Sequence, residues 1–184
     1  MRTAAYAEAG DAALLKALGA LDAAMNNYSL ILMLEFGGVR MLLPQAMDVI
    51  SYFGYGPYES YVDKHRASVK HMYVSTVASQ HEDYIRPQEN GSHWNCDYLR
   101  LSGPLGGFEV IGDEFSFNVS RYTQEELERK AHSYELEQAP GTVFCLDDRQ
   151  TGIGSNSCGP ELSYRYAMPA KFCFKFSIVP LTFD

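Results

Sequence analysis

Hydrophobic positions along this chain follow two different periods. Up to about residue 27 the sequence is Ala-rich, with Leu14, Leu15, Leu18, Leu21 and Met25 spaced for one face of a helix. Asp11, just after Gly10, is placed to cap its start, and Gly19 costs such a helix about 1 kcal/mol relative to Ala. From Leu30 onward the pattern changes: short Val/Ile/Tyr/Phe runs alternate with Gly, Pro and Asn clusters, as in antiparallel strands folded into a sandwich or barrel. Strands are predicted at 39–43, 49–53, 72–77, 94–101, 115–120, 142–146, 162–166 and 171–179. In the last, Phe172, Phe174, Phe176 and Ile178 alternate with Cys173, Lys175, Ser177 and Val179, so one face is aromatic and the other mixed. Asn90-Gly91 predicts a tight hairpin turn, and Gly103-Pro104-Leu105-Gly106-Gly107 a longer, flexible loop. A single helix interrupts the strands. Thr123 followed by Glu126 forms a capping box, and good helix formers run from Gln124 to about His132. The pattern therefore predicts an all-β antiparallel fold at 34–184, with one short helix near 124–132, preceded by a helical segment at 1–33.

Size and charge narrow the possibilities. A length of 184 residues fits one domain, and 46% hydrophobic residues can build a core. The net charge of −8 and the lack of any Lys/Arg-rich block argue against a nucleic-acid partner. Cys96, Cys145, Cys158 and Cys173 include no C-x-x-C pair, which fits free buried thiols in a reducing compartment. The first ten residues hold no apolar run of the secretory type, and the longest apolar stretch, Leu30 to Leu34, is far short of the ~20 residues a membrane span needs. The expectation is a soluble, cytoplasmic protein with no membrane contact.

Candidate chemistry is harder to single out. Glycosidic hydrolysis needs two carboxylates about 5–9 Å apart across the scissile bond. Acidic residues are plentiful, and no pair stands out. The five histidines show no metal-ligand spacing. His93 and Cys96 sit at odd spacing, so on one strand they face opposite sides, which disfavours a nucleophile pair. The richest segment is Tyr52-Phe53-Gly54-Tyr55-Gly56-Pro57-Tyr58-Glu59-Ser60-Tyr61, followed by Asp63-Lys64-His65-Arg66. Aromatic rings beside Gly-opened backbone and polar side chains suit a sugar, whose C–H faces stack while its hydroxyls are hydrogen-bonded. The same rings could equally fill core and strand-edge positions around a Gly-Pro turn, and periodicity favours that reading.

Several segments, in order, carry a family resemblance. Residues 52–68 (YFGYGPYESYVDKHRAS) resemble the C-terminal, small-chain domain of the bacterial β-galactosidases of glycoside hydrolase family 2. Arg86-Pro87-Gln88-Glu89-Asn90-Gly91 is similar to the family's Pro-x-Glu-Asn-Gly turn. Residues 115–122 resemble its F-x-F-N strand, 152–160 its late glycine-rich loop, and 36–43 the strand leading into this region. The resemblance covers about 36–180, and residues 1–33 carry none of it. It implies a β-sandwich of the large, galactose-mutarotase-like kind (a supersandwich).

The resemblance also implies a partner. In that family the catalytic glutamates and the magnesium and sodium sites lie in a (β/α)₈ barrel, which takes about 250 residues and cannot fit here. This chain is then expected to hold no cofactor, to be inactive alone, and to pack on a catalytic domain or large subunit, lending a loop to the cleft rim where the galactoside binds. The family's aromatic platform position falls at about Ile111. Phe108 on the same loop is a possible substitute; Glu89 and Trp94 complete the expected rim, the Trp94 indole being read as core packing first and cleft lining second. Two other readings stay open: an independent carbohydrate-binding module, and the small subunit of a heteromeric enzyme. Exposed strand edges would favour homo-oligomers.

Overall fold

The computed structural model describes residues 31–35, 38–104, 106–153 and 174–181. Among them are eight strands, all paired antiparallel: β1 (Ile31–Glu35), β2 (Gly38–Pro44), β3 (Val49–Gly56), β4 (Val69–Thr76), β5 (His93–Gly103), β6 (Gly106–Ser120), β7 (Gly141–Asp147) and β8 (Phe176–Leu181). Their order is β1-β2-β7-β6-β5-β3-β4, with β8 also paired to β6. The all-β antiparallel class read from the sequence is the one observed. The predicted N-terminal helix, the strand at 162–166 and the first residues of the strand at 171–179 lie outside the described residues.

The long strand β6 organises the sandwich. Along one edge its residues 116–120 pair with β7 and its residues 107–112 with β8, while β5 occupies the other edge. Between these halves Glu114 has a positive φ of 52°, and the β5 register shifts between Cys96 and Tyr98. Such a bulge moves the inward set from even to odd positions, so Phe108 and Val110 face the core, then Phe115, Phe117 and Val119. One half-sheet supplies Met41, Leu43, Phe144 and Leu146, the other Ile50, Tyr52, Leu99 and Leu101, to a single buried cluster. Phe174, Phe176 and Ile178 pack against it, as their alternation predicts. Cys96 and Cys145 are both buried thiols, Cys145 Sγ accepting from Gln124 Nε2 at 3.2 Å.

Local expectations needed correction in three places. Gly103–Gly107 is not a loose loop: β5 and β6 run through it, with Gly103 paired to Gly106. A side chain at Gly103 would meet the Ala46 carbonyl, and one at Gly107 the Leu101 carbonyl, so these glycines permit close backbone approach. Asn90-Gly91 does not join paired strands, because β4 and β5 both pair with β3. Instead the Asn90 side chain accepts from the Glu82 amide (2.9 Å) and donates to the Gln88 carbonyl (2.8 Å), closing a loop. The helix α1 (Gln124–Arg129) ends earlier than expected. Thr123 Oγ1 accepts from the Glu126 amide (3.1 Å), but the Glu126 carboxylate turns to the Glu137 amide, Arg129 and Lys130, completing half of the capping box.

Candidate functional site

β3 carries the first residues of the aromatic-rich segment. Tyr52 points inward and meets the rings of Tyr73, His93 and Phe117 at 5.3, 4.3 and 5.2 Å. Gly54 and Gly56 leave room on either side: an added Cβ would collide with Cys96 Sγ and Tyr52 Oη respectively. Beyond the strand, Tyr61 is also buried, and burial raises the pKa of its hydroxyl, as it does for Tyr52. Tyr55, His65 and Trp94 form a half-buried ring cluster, His65 lying 4.2 Å and Tyr55 5.0 Å from Trp94. The aromatics thus chiefly pack, the reading favoured by periodicity. Tyr58, 66% exposed, is the one that stands free in the loop.

Polar side chains tie that loop down. Ser60 Oγ donates to the Tyr55 carbonyl (3.0 Å) and accepts from the Trp94 amide (2.9 Å). Glu59, 6% exposed, accepts from Lys64 Nζ, Tyr84 Oη and the Gly91 amide (2.8 Å for the last). Burial alone would raise its pKa; the Lys64 ammonium, the Tyr84 hydroxyl and the Gly91 amide outweigh that and leave it below the usual carboxylate range. In return Glu59 holds the Lys64 pKa up against its partial burial. An ionised carboxylate with its lone pairs so engaged is a clasp between loops, not a poised general acid. Sequence reasoning missed this clasp because Tyr84 and Gly91 become neighbours of Glu59 only in the fold. Behind it, His93 is buried with Nδ1 3.0 Å from the Tyr55 carbonyl and Nε2 against the Gln80 amide; desolvation pushes its pKa down to about 4.

Two open clefts flank the 82–91 segment. One, of about 530 Å³, is lined by Tyr58, Glu59, Asp63, Lys64, His65, Arg66, Ala67, Ser68, Glu82 and Tyr84. The other, about 510 Å³, is lined by Arg86, Pro87, Gln88, Glu89, Gln124 and Glu128. Its wall is held by Arg40, whose guanidinium bonds Gln124 (3.0 Å) and Glu125 (2.7 and 2.9 Å). That contact draws the Glu125 pKa down to about 2. Among the described residues no group of three or more His, Cys, Asp or Glu is placed to hold a metal ion, and no helix is long and apolar enough to cross a membrane.

The four expected rim residues do not share a cavity. Of these, Glu89 alone lines one of these clefts, accepting from Asn118 Nδ2 at 3.1 Å. Trp94 belongs to the ring cluster. Ile111 is 48% exposed on the outer side of β6, opposite Tyr98. Phe108 is fully buried with its ring 5.6 Å from Phe144, so it has no face to offer a sugar and cannot stand in for a platform. The reason is strand parity: positions 108 and 111 are an odd number apart and point to opposite sides.

Residues 14–179 match the family model described as Beta galactosidase small chain. The chain belongs to that family. Relatives include a β-galactosidase of Actinobacillus pleuropneumoniae, 46% identical over 143 residues, which is 77% of this chain and 14% of the relative. A Staphylococcus xylosus β-galactosidase is 39% identical over 132 residues, 71% of this chain and 13% of its own length. One from Vibrio cholerae is 36% identical over 129 residues, 67% of this chain and 12% of the relative. This chain thus aligns with only about an eighth of these relatives' length, and the family match at 14–179 contains both clefts and the Glu59 clasp.

Proposed function

We propose that this chain is the part of a β-galactosidase that packs on the catalytic portion and completes the rim of its active-site cleft, the parent reaction being hydrolysis of terminal β-D-galactosides such as lactose. The observation that carries this reading is the lopsided match: three quarters of this chain aligns with a β-galactosidase at 46% identity, yet only 14% of that enzyme is represented. The reacting carboxylates, and the magnesium and sodium sites, are assigned to the remaining polypeptide. Within this chain the buried Glu59 is engaged by three donors, which supports a structural use of the best-placed carboxylate.

The galactoside is assigned to the cleft containing Glu89, because that residue is the member of the expected rim that lines an open cavity. The test is reconstitution. A β-galactosidase from Actinobacillus pleuropneumoniae lacking the 143 matching residues should gain hydrolysis of a nitrophenyl β-galactoside when this chain is added, while the chain alone stays silent. Enzyme-like turnover by the chain alone would overturn the reading. Glu89→Gln in the reconstituted enzyme should raise KM with little change in kcat, because it alters binding at the rim and not the chemistry.

A second reading, a free-standing sugar-binding module, draws on exposed Tyr58 beside Asp63 and Arg66 in the other cleft. Titration of the isolated chain with galactose, followed through Trp94 fluorescence, separates the two. Saturation at millimolar or lower concentration favours the module, and a flat response favours the dependent domain.

A further inference from the structure

Strand register places most of the exposed large hydrophobic side chains on one face. In antiparallel pairs, directly opposed residues point to the same side of the sheet. One row across the strands reads Met72 (β4), Phe53 (β3), Tyr98 (β5), Ile111 (β6), Ser177 (β8). The next reads Val74, Ser51, Arg100, Glu109, Val179, and a third begins Thr76, Val49, Ser102. Met72, Phe53, Ile111, Val74, Val179 and Val49 are all exposed, Val74 at 73%. At ~4.8 Å between strands and ~3.4 Å per residue, these rows cover roughly 20 Å by 14 Å. Six exposed apolar side chains thus share one face with polar ones between them, the mixture that a non-obligate interface carries. The polar members of this face are Ser51, Thr76, Ser102, Ser177, Arg100 and the hydrogen-bonded Tyr98–Glu109 pair (2.7 Å), which run between the apolar side chains as a polar seam. Beside it β4 pairs only with β3 among the described residues, which leaves an open strand edge next to Met72 and Val74.

We propose that the outer face of β4-β3-β5-β6-β8 is the surface on which this chain docks, and that its occupant is the polypeptide making up the rest of a β-galactosidase. This rests on the function proposed above and specifies the contact. The choice of occupant follows from length: the matched relative carries most of its chain outside the 14% that corresponds to this one, so a large surface of the same enzyme is available to cover the face. The chemistry the face asks of that occupant is a flat surface with apolar side chains for Met72, Phe53, Val74, Ile111 and Val179 and hydrogen-bonding or charged groups for the seam of serines, Arg100 and Glu109.

The experiment uses the full 184-residue chain and the Actinobacillus pleuropneumoniae enzyme without its matching segment. Affinity is measured by titration calorimetry alongside restored galactoside hydrolysis. Val74→Glu and Phe53→Glu should each weaken capture at least 100-fold, and the milder Met72→Ser about 10-fold, with circular dichroism and thermal midpoints close to wild type. Ile85→Glu, at an exposed position outside every strand, should stay within twofold. Capture unchanged in the three face variants would overturn this inference while leaving the proposed function standing. Failure of the wild-type chain to bind would overturn the function itself and the docking with it. If instead the face variants abolish self-association in sedimentation and spare capture, the occupant is a second copy and the inference falls.

Discussion

The two sides of one sheet, made from the same strands and much the same residue types, behave in opposite ways. Ile50, Tyr52, Leu99, Leu101, Phe108 and Val110 on the inner side are essentially inaccessible, sealed by the facing half-sheet through Met41, Leu43, Phe144 and Leu146. On the outer side Val49, Phe53, Met72, Val74, Ile111 and Val179 remain in solvent. Sheet alternation decides which residues travel together. What meets them is decided by the rest of the fold and, we argue, by the rest of an enzyme. The inner side should therefore carry the stability of the isolated chain, and the outer side its assembly.

Substitutions can break that comparison. Phe117→Ala, at the ring contact with Tyr52 and His93, should cost about 4 kcal/mol and lower Tm by roughly 10 °C in calorimetry. A loss below 1 kcal/mol would mean the inner cluster is not the core described here.

His93, on the same side, gives a pH signature. Its pKa is about 4 when folded against an ordinary 6.5, so the unfolded chain binds the extra proton first. Stability should be full above pH 6.5 and decline by about 3 kcal/mol as pH falls through 4, read from urea midpoints. His93→Gln should flatten that limb. Glu59 and Glu125, both lowered, add further loss that begins as pH falls through the ordinary carboxylate value and continues below it.

Smaller effects sharpen the contrast. Glu59→Gln removes the charge from the loop clasp and should cost about 2 kcal/mol by urea unfolding, with the strands intact by circular dichroism. Thr123→Ala, which removes the cap of α1, should cost about 1 kcal/mol by the same measure. Val74→Thr, on the outer side, should change the stability of the isolated chain by no more than about 0.5 kcal/mol.

How much of this the sequence disclosed depends on where each side chain ends up. β2 is legible because Val39, Met41 and Leu43 alternate inward, and β5 and β7 because runs of β-forming residues stand between turn residues, although β7 is buried on both faces and β5 is bulged. The sequence pattern starts β4 three residues late, since its exposed Val69 and Met72 lack the alternation that a buried face imposes. The first half of β6 is not visible in the sequence: Gly106 and Gly107 look like a loop until their close backbone contacts with Leu181, Leu101 and Ser102 explain them. The aromatic-rich segment stands out in the sequence, and its rings pack as periodicity favours, but the partners that fix it, Gln80, Tyr84 and Gly91, come from a distant loop that no local pattern connects to it. Ile111, expected at the cleft rim, lies exposed on the outer side of β6, whereas the burial of Phe108 follows from a strand parity that its flanking glycines conceal.

Oxidative footprinting offers the most direct test, because methionines lie on both sides. In the isolated chain Met72 should react with hydroxyl radicals quickly, and buried Met41 and Met47 slowly. On adding β-galactosidase lacking the matching segment, the Met72 rate should fall at least tenfold as hydrolysis returns, with exposed Tyr134 unchanged. Restored hydrolysis with Met72 still fully reactive would contradict the assignment of this face to the rest of the enzyme.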